Sequence, residues 1–293
     1  QLHLSKGVHV VLPASRVPLR NIVVMNARDR RSIFAIPQRE VVYIGTTDTT
    51  YDHGPQVWPD ISRDDVDYLL EPLGRYLSVE PPTVRDVTAA WAGLRPLVAQ
   101  PGKKPTDISR ADEVLVSPTG VVTVAGGKLT GYRPTVERVL QDVARVLDRT
   151  LPDVEEGPLP GGDFDGDLDR LAGSLTGEFG VTDRAAARLA RLYGCEAADV
   201  LRLGAAPLAD ESPMLEGEVD WAVQEESAGR LEDVIYRRTR MALYDADATP
   251  PIVEPAAERM ASLLNWDPGR TEDEIARTRA RLAEDVQFDG GLT

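Results

Sequence analysis

The hydrophobic period of this chain changes near residue 129, and that change constrains the fold more than any other feature. Before it, short runs rich in β-branched residues recur at Val8–Leu12, Ile22–Met25, Ser32–Pro37, Val41–Thr46, Val84–Trp91, Val114–Ser117 and Val121–Ala125. Runs of this kind, bounded by Pro, Gly and polar residues, are strand signals. One amphipathic helix interrupts them: Ser62 is a fair N-cap, and Val66, Leu69, Leu70 and Leu73 follow at helical spacing. From Leu129 onward, Tyr132, Val136, Val139, Leu140, Val143, Val146 and Leu147 fall at steps of three and four, one face of a long helix. A Pro/Gly/acid stretch, Leu151–Gly166, then breaks the pattern. Beyond it the helical period dominates, over about 168–179, 183–193, 196–203, 216–228, 230–243, 253–265 and 271–287. The expectation is an α+β chain: a mixed α/β domain over 1–150, a linker over 151–166 and an all-α domain over 167–293, with no sheet continuing past about residue 170.

Charge divides the chain at the same place. The first 150 residues carry 19 Lys and Arg against 17 Asp and Glu, a net of +2, whereas the rest carry 14 against 31, a net of −17. A small anion is drawn to the first part and repelled by the second. The overall charge of −15 works against binding a polyanion, so nucleic acid is not an expected partner. Cys195 is the only cysteine, which excludes an intrachain disulfide and suits a reducing cytoplasm. No apolar run reaches the length of a membrane span. The first residue is Gln1 and the opening QLHLSKGVHVVL reads as a strand, so the chain is expected to begin inside a larger protein.

Three segments are candidates for chemistry. In Val121-Val-Thr-Val-Ala-Gly-Gly-Lys-Leu-Thr130 a strand passes through two glycines into a helix. Glycines permit a tight turn and close approach to a ligand, and N–H groups at a helix start attract negative charge, to which Lys128 adds a full positive one. A solvated Lys128 at an ordinary turn is the plainer reading. The spacing rules out a Walker A loop, because Leu129 stands where Ser or Thr is needed after Lys128. In Trp91-Ala-Gly-Leu-Arg-Pro-Leu97, Arg95 sits among apolar residues and needs an anionic partner, either a protein carboxylate or a ligand. In Ser5-Lys6-Gly7-Val8-His9, the histidine projects to the face opposite Val8 and Val10, where it is either a structural hydrogen-bonding group or a proton acceptor. Asp163, Asp165, Asp167 and Asp169 imitate a calcium loop, but Gly166 and Ser174 occupy the wrong positions, so an acidic helix start is expected and no metal.

Taken in order, these pieces resemble the FAD-dependent glycerol-3-phosphate dehydrogenases and the related α-glycerophosphate oxidases. The matching stretches are Ser5–Pro13, Phe34-Ala-Ile-Pro37, Ile44-Gly-Thr-Thr-Asp-Thr49, Trp91–Leu97, Ile108-Ser-Arg110 and Gly126-Gly-Lys-Leu-Thr-Gly-Tyr-Arg133. The helical part adds Leu159-Pro-Gly-Gly162, Ala190-Arg-Leu-Tyr-Gly194 and Arg237-Arg-Thr-Arg240. Two departures stand out: Gly131 replaces a usual Thr, and the strand–GxGxxG–helix that opens such enzymes is absent from this sequence.

The resemblance implies oxidation of C2 of glycerol 3-phosphate to dihydroxyacetone phosphate, with hydride passing to FAD and electrons onward to a membrane quinone. It implies Arg95 and Arg110 as phosphate ligands, with Lys128 also binding substrate, His9 as the base with Lys128 as the alternative, and Gly126, Gly127, Lys128, Leu129 and Thr130 as the flavin-side loop. A missing N-terminal FAD-binding half, a homodimer, and a cytoplasmic position on the inner face of the membrane are its further implications. An oxidase using oxygen and a non-catalytic fragment are the alternatives.

Overall fold

The computed structural model describes residues 2–98, 112–152 and 157–288. Period-two alternation becomes a six-stranded antiparallel sheet of β1 (Leu2–Pro13), β2 (Val23–Asn26), β3 (Ser32–Gln38), β4 (Val41–Gly45), β5 (Thr49–Thr50) and β6 (Ala89–Val98). The strands run β2-β3-β4-β1, with the short β5 beside the start of β1 and β6 along its other edge. In register, His9 faces Gly45 on one side and Trp91 on the other, and Ser5 faces Arg95. Because side chains alternate, this register decides which residues share a face.

One face is the core. Val8, Val10 and Leu12 pack with Met25, Ile33, Ala35, Val42 and Ile44 against Val66, Leu69, Leu70 and Leu73 of helix α1 (Arg63–Tyr76). That helix begins where Ser62 predicts. The Ser62 hydroxyl accepts from the Asp65 N–H at 3.2 Å, and the Asp65 carboxylate accepts from the Ser62 N–H at 3.0 Å. The same carboxylate pairs at 2.6 Å with the buried Lys6 ammonium. Capping the helix and neutralising a strand lysine are thus one interaction.

The expected strand Val84–Trp91 is corrected. Thr83–Asp86 closes a tight turn in which the Asp86 carboxylate accepts from the Thr83 N–H at 2.7 Å, and the strand starts only at Ala89. The whole Trp91–Leu97 stretch is therefore strand.

A small hairpin, β7 (Glu113–Val116) with β8 (Val122–Ala125), leads to helix α2 (Tyr132–Leu147). The helix starts three residues later than the sequence implies, because Leu129–Gly131 forms a separate 3-10 turn.

The remaining helices are α3 (Leu168–Phe179), α4 (Asp183–Tyr193), α5 (Ala197–Leu203), α6 (Glu216–Gln224), α7 (Met241–Tyr244), α8 (Val253–Leu264) and α9 (Pro268–Glu284). Asp167, from the acidic run, caps α3 by accepting from the Arg170 N–H at 2.9 Å. Gly161 and Gly194, from two of the family-like motifs, meet backbone to backbone: the Cys195 N–H donates to the Gly161 carbonyl at 3.0 Å, and a Cβ on Gly194 would lie 1.9 Å from that oxygen. The expected helix over 230–243 is broken. Asp233–Arg238 winds more widely, the Thr239 hydroxyl donates to the Val234 carbonyl at 2.7 Å, and Arg240 adopts φ 56° before α7.

The two halves are tied together. The guanidinium groups of Arg237 and Arg281 lie over the ring of Trp58, from the sheet side, at 5.0 and 4.8 Å, and the ring tilts against Tyr236. Phe288 packs into the sheet core. At the tip of the β3–β4 hairpin, Arg39 reaches Asp245 at 3.4 Å, and Arg184 reaches it at 2.9 Å. Among the described residues, no helix is long and apolar enough to cross a membrane.

Candidate functional site

The face of the sheet opposite the core carries Ser5, Gly7 and His9 on β1 beside Arg95, Gly93 and Trp91 on β6. The glycines determine its shape. A Cβ on Gly7 would lie 2.3 Å from an Arg95 guanidinium nitrogen, and a Cβ on Gly45 would lie 2.0 Å from the His9 ring. Each glycine leaves room for a functional side chain to lie flat across its neighbouring strand. Gly93 has nothing within 4 Å of where a Cβ would be, so the floor is open there.

His9 stacks on Trp91 with ring centroids 4.8 Å apart and 7° between planes. Tyr43 tilts against both, and Tyr244 from α7 reaches Tyr43 and Trp91 at 6.1 and 6.5 Å. The helical part thus supplies one wall of this aromatic cluster. His9 Nδ1 is buried and lacks a hydrogen-bond partner among the described residues. Burial, and after it the positive charge of Arg95, hold the imidazole pKa down at about 4. The ring is neutral near pH 7, as a proton acceptor must be.

Arg95 is partly exposed. Its guanidinium donates to the Thr47 carbonyl at 3.3 Å and to the Thr46 hydroxyl at 3.1 Å, and stands 3.7 Å from the Asp48 carboxylate. The arginine is therefore held by the Gly45-Thr-Thr-Asp48 segment, which the sequence reading matched to the family without assigning it a role. A strand that ends in polar residues looks locally like any other strand end, and only the β1–β4 and β1–β6 registers reveal the contact.

Gly126 and Gly127 take φ 78° and 88°, and Gly126 to Thr130 are all exposed, Leu129 at 89%. Lys128 borders a hollow of about 440 Å³ together with Asp112, Gly127, Gly131, Pro134, Thr135 and Arg138, and His9 is not among its lining residues. The loop does not itself cap α2. Gly131 is the N-cap and offers no side chain to cap the helix. Arg110 lies outside the described residues.

The described residues fit the ring-facing part of a flat cofactor. They offer an open floor made by glycines, an orphaned imidazole nitrogen beside it and an uncovered glycine loop. A cradle for a pyrophosphate is not among them.

Comparison with known proteins gives this arrangement its class. Residues 1–133 match the family described as FAD dependent oxidoreductase. Residues 154–271 match the C-terminal domain of alpha-glycerophosphate oxidase. Aerobic glycerol-3-phosphate dehydrogenase of Staphylococcus aureus is 31% identical over 288 residues, covering 93% of this chain and 51% of the relative. The enzyme of that name from Staphylococcus epidermidis is 32% identical over 306 residues, covering 97% and 55%. The crystal structure of glycerol-3-phosphate dehydrogenase from Bacillus halodurans complexed with FAD superposes with a TM-score of 0.82 at 30% identity, over 100% of this chain and 59% of that one. The chain is thus similar to FAD-dependent oxidoreductases over residues 1–133 and to the C-terminal domain of alpha-glycerophosphate oxidase over residues 154–271, and it spans about half the length of the curated relatives it matches.

Proposed function

We propose that this chain is the substrate-gripping part of an enzyme that oxidises sn-glycerol 3-phosphate to dihydroxyacetone phosphate, with a membrane quinone as final acceptor. The observation that carries this reading is Arg95 and a neutral His9 side by side on one open, glycine-floored face. FAD, when bound, supplies the hydride acceptor. Arg95 and Arg110 hold the phosphate, and bidentate guanidinium geometry suits that group. His9 takes the proton of the C2 hydroxyl. A bound phosphate dianion offsets the charge of Arg95, which otherwise depresses the basicity of the ring. Lys128 is the alternative base, and the loop Gly126, Gly127, Lys128, Leu129 and Thr130 meets the flavin side. In this reading residues 1–150 and 167–293 are separate domains, and the protein works at the cytoplasmic face of the membrane.

In this reading a missing N-terminal FAD-binding half completes the site. Leu115, Val116, Val121 and Val124 of the hairpin and Tyr132, Val136, Leu140, Val146 and Leu147 of α2 are all exposed, and among the described residues 113–147 contribute nothing to the buried clusters. An amphipathic helix gains most of its stability by burying its apolar face, so this one is built to be covered. The chain alone is expected to be colourless, and the complete protein to show a flavin spectrum. In that flavoprotein, Arg95→Ala should raise KM for glycerol 3-phosphate about 10²-fold. An unchanged KM would overturn the phosphate assignment.

A further inference from the structure

We propose that Thr46 is the positioning residue for Arg95, forming with the Thr47 carbonyl a two-point clamp that aims the guanidinium across Gly7 toward the substrate phosphate. The inference rests on the functional reading above, in which Arg95 is the phosphate ligand.

The clamp closes on itself. One guanidinium nitrogen donates to the Thr47 carbonyl at 3.3 Å, and the other donates to the Thr46 hydroxyl at 3.1 Å. That hydroxyl passes its own proton to the same Thr47 carbonyl, also at 3.1 Å. Both nitrogens of the fork are therefore fixed by adjacent residues, which sets the plane of the group as well as its position.

The clamp is anchored in turn to the central strand. The Thr47 hydroxyl, buried between the strands, accepts from the Val8 N–H at 3.0 Å and donates to the Lys6 carbonyl at 3.4 Å. Ser5 donates to the Asp48 carboxylate, and Arg31 donates to the Asp48 carbonyl at 2.6 Å. The Asp48 carboxylate stands 3.7 Å from Arg95 and attracts it. Threonine at position 46 thus supplies orientation through a neutral hydroxyl.

The test uses Thr46→Val, which is nearly isosteric, and Thr46→Ser, which retains the hydroxyl. In the flavoprotein containing this chain, Thr46→Val should raise KM for glycerol 3-phosphate about 5- to 10-fold, the worth of one ordinary hydrogen bond. Inhibition by inorganic phosphate should weaken by the same factor, with kcat within about twofold, and Thr46→Ser should stay near wild type. If KM is unmoved by Thr46→Val, or is raised equally by Thr46→Ser, the clamp has no positioning role. Should Thr46→Val fail to fold, Thr46→Ala against Thr46→Ser makes the same comparison.

A second readout is independent of turnover. The groups around His9 are Trp91 and Arg95 from β6, Tyr43 and Gly45 from β4, and Tyr244 from α7 lying against Trp91 and Tyr43. In the 293-residue chain, loosening the Thr46 contact to Arg95 should move the NMR titration midpoint of His9 upward in Thr46→Val. An unmoved midpoint overturns the clamp. An Arg95→Ala flavoprotein with normal KM overturns only the phosphate reading and leaves this arm standing.

Discussion

Replacing Gly45 with alanine tests whether the geometry of the His9 face matters. The new Cβ would stand 2.0 Å from His9 Cδ2 and 2.5 Å from Nε2, where ordinary contact begins at 3.4 Å. The ring must therefore retreat by about 1.4 Å or more, and it cannot simply slide away, because Trp91 is stacked against it at 4.8 Å. Forcing a methyl group into a packed site costs about 1–3 kcal/mol, and the loss of glycine's chain entropy returns about 0.4–1 kcal/mol, so a net destabilisation of about 1–2 kcal/mol is expected. Urea unfolding of the chain followed by far-UV circular dichroism measures it. In the flavoprotein, with His9 as the proposed base, a displacement of about 1 Å should lose about 10²-fold in kcat. A folded Gly45→Ala protein with wild-type kcat would refute the reasoning, since the ring would have moved without consequence.

The remaining predictions concern charge. His9 has its pKa lowered from an ordinary 6.5 to about 4, so the folded state resists a proton that the unfolded state accepts. Its neutral form costs nothing above pH 6.5; stability should fall by about 2–3 kcal/mol as pH drops from 6.5 toward 4 and then level off. His9→Asn should lack that loss, and equal declines in both proteins by denaturant titration at pH 7 and pH 4 would dismiss it. Arg188 is buried, at 1% exposure, and is held by the Glu218 carboxylate at 2.5 and 2.6 Å. Glu218→Gln removes the charge partner and should cost the helical part about 3–5 kcal/mol, read as a lower unfolding midpoint. A loss under about 1 kcal/mol would mean that Arg188 finds another partner.

Much of the frame was legible locally because its causes are local. Ser62 with Asp65, and the spacing of Val66, Leu69, Leu70 and Leu73, specify α1 through capping and one-sided burial. Val8, His9 and Val10 alternate, so the two valines reach the core while His9 takes the other face. Where distant contacts compete, the local pattern fails. Val84 to Trp91 looks like one strand, yet the Thr83–Asp86 turn takes its first part. The helical period over 230–243 is interrupted where Thr239 bonds back to Val234.

The same division holds at the candidate site. Residue identity alone marked Arg95, His9 and Lys128, because a guanidinium in an apolar run, an imidazole on a strand and an ammonium beside paired glycines each imply a limited chemistry. What holds them was not readable from the sequence. Gly7 and Gly45 are ordinary strand glycines until the register of β1 with β4 and β6 lays a guanidinium over one and an imidazole over the other. Thr46, Thr47 and Asp48 acquire a role only because β4 ends beside β1, bringing them to an arginine almost fifty residues away. Composition and periodicity decide what each segment buries. Register and packing, set by contacts summed over the whole sheet, decide which side chains meet.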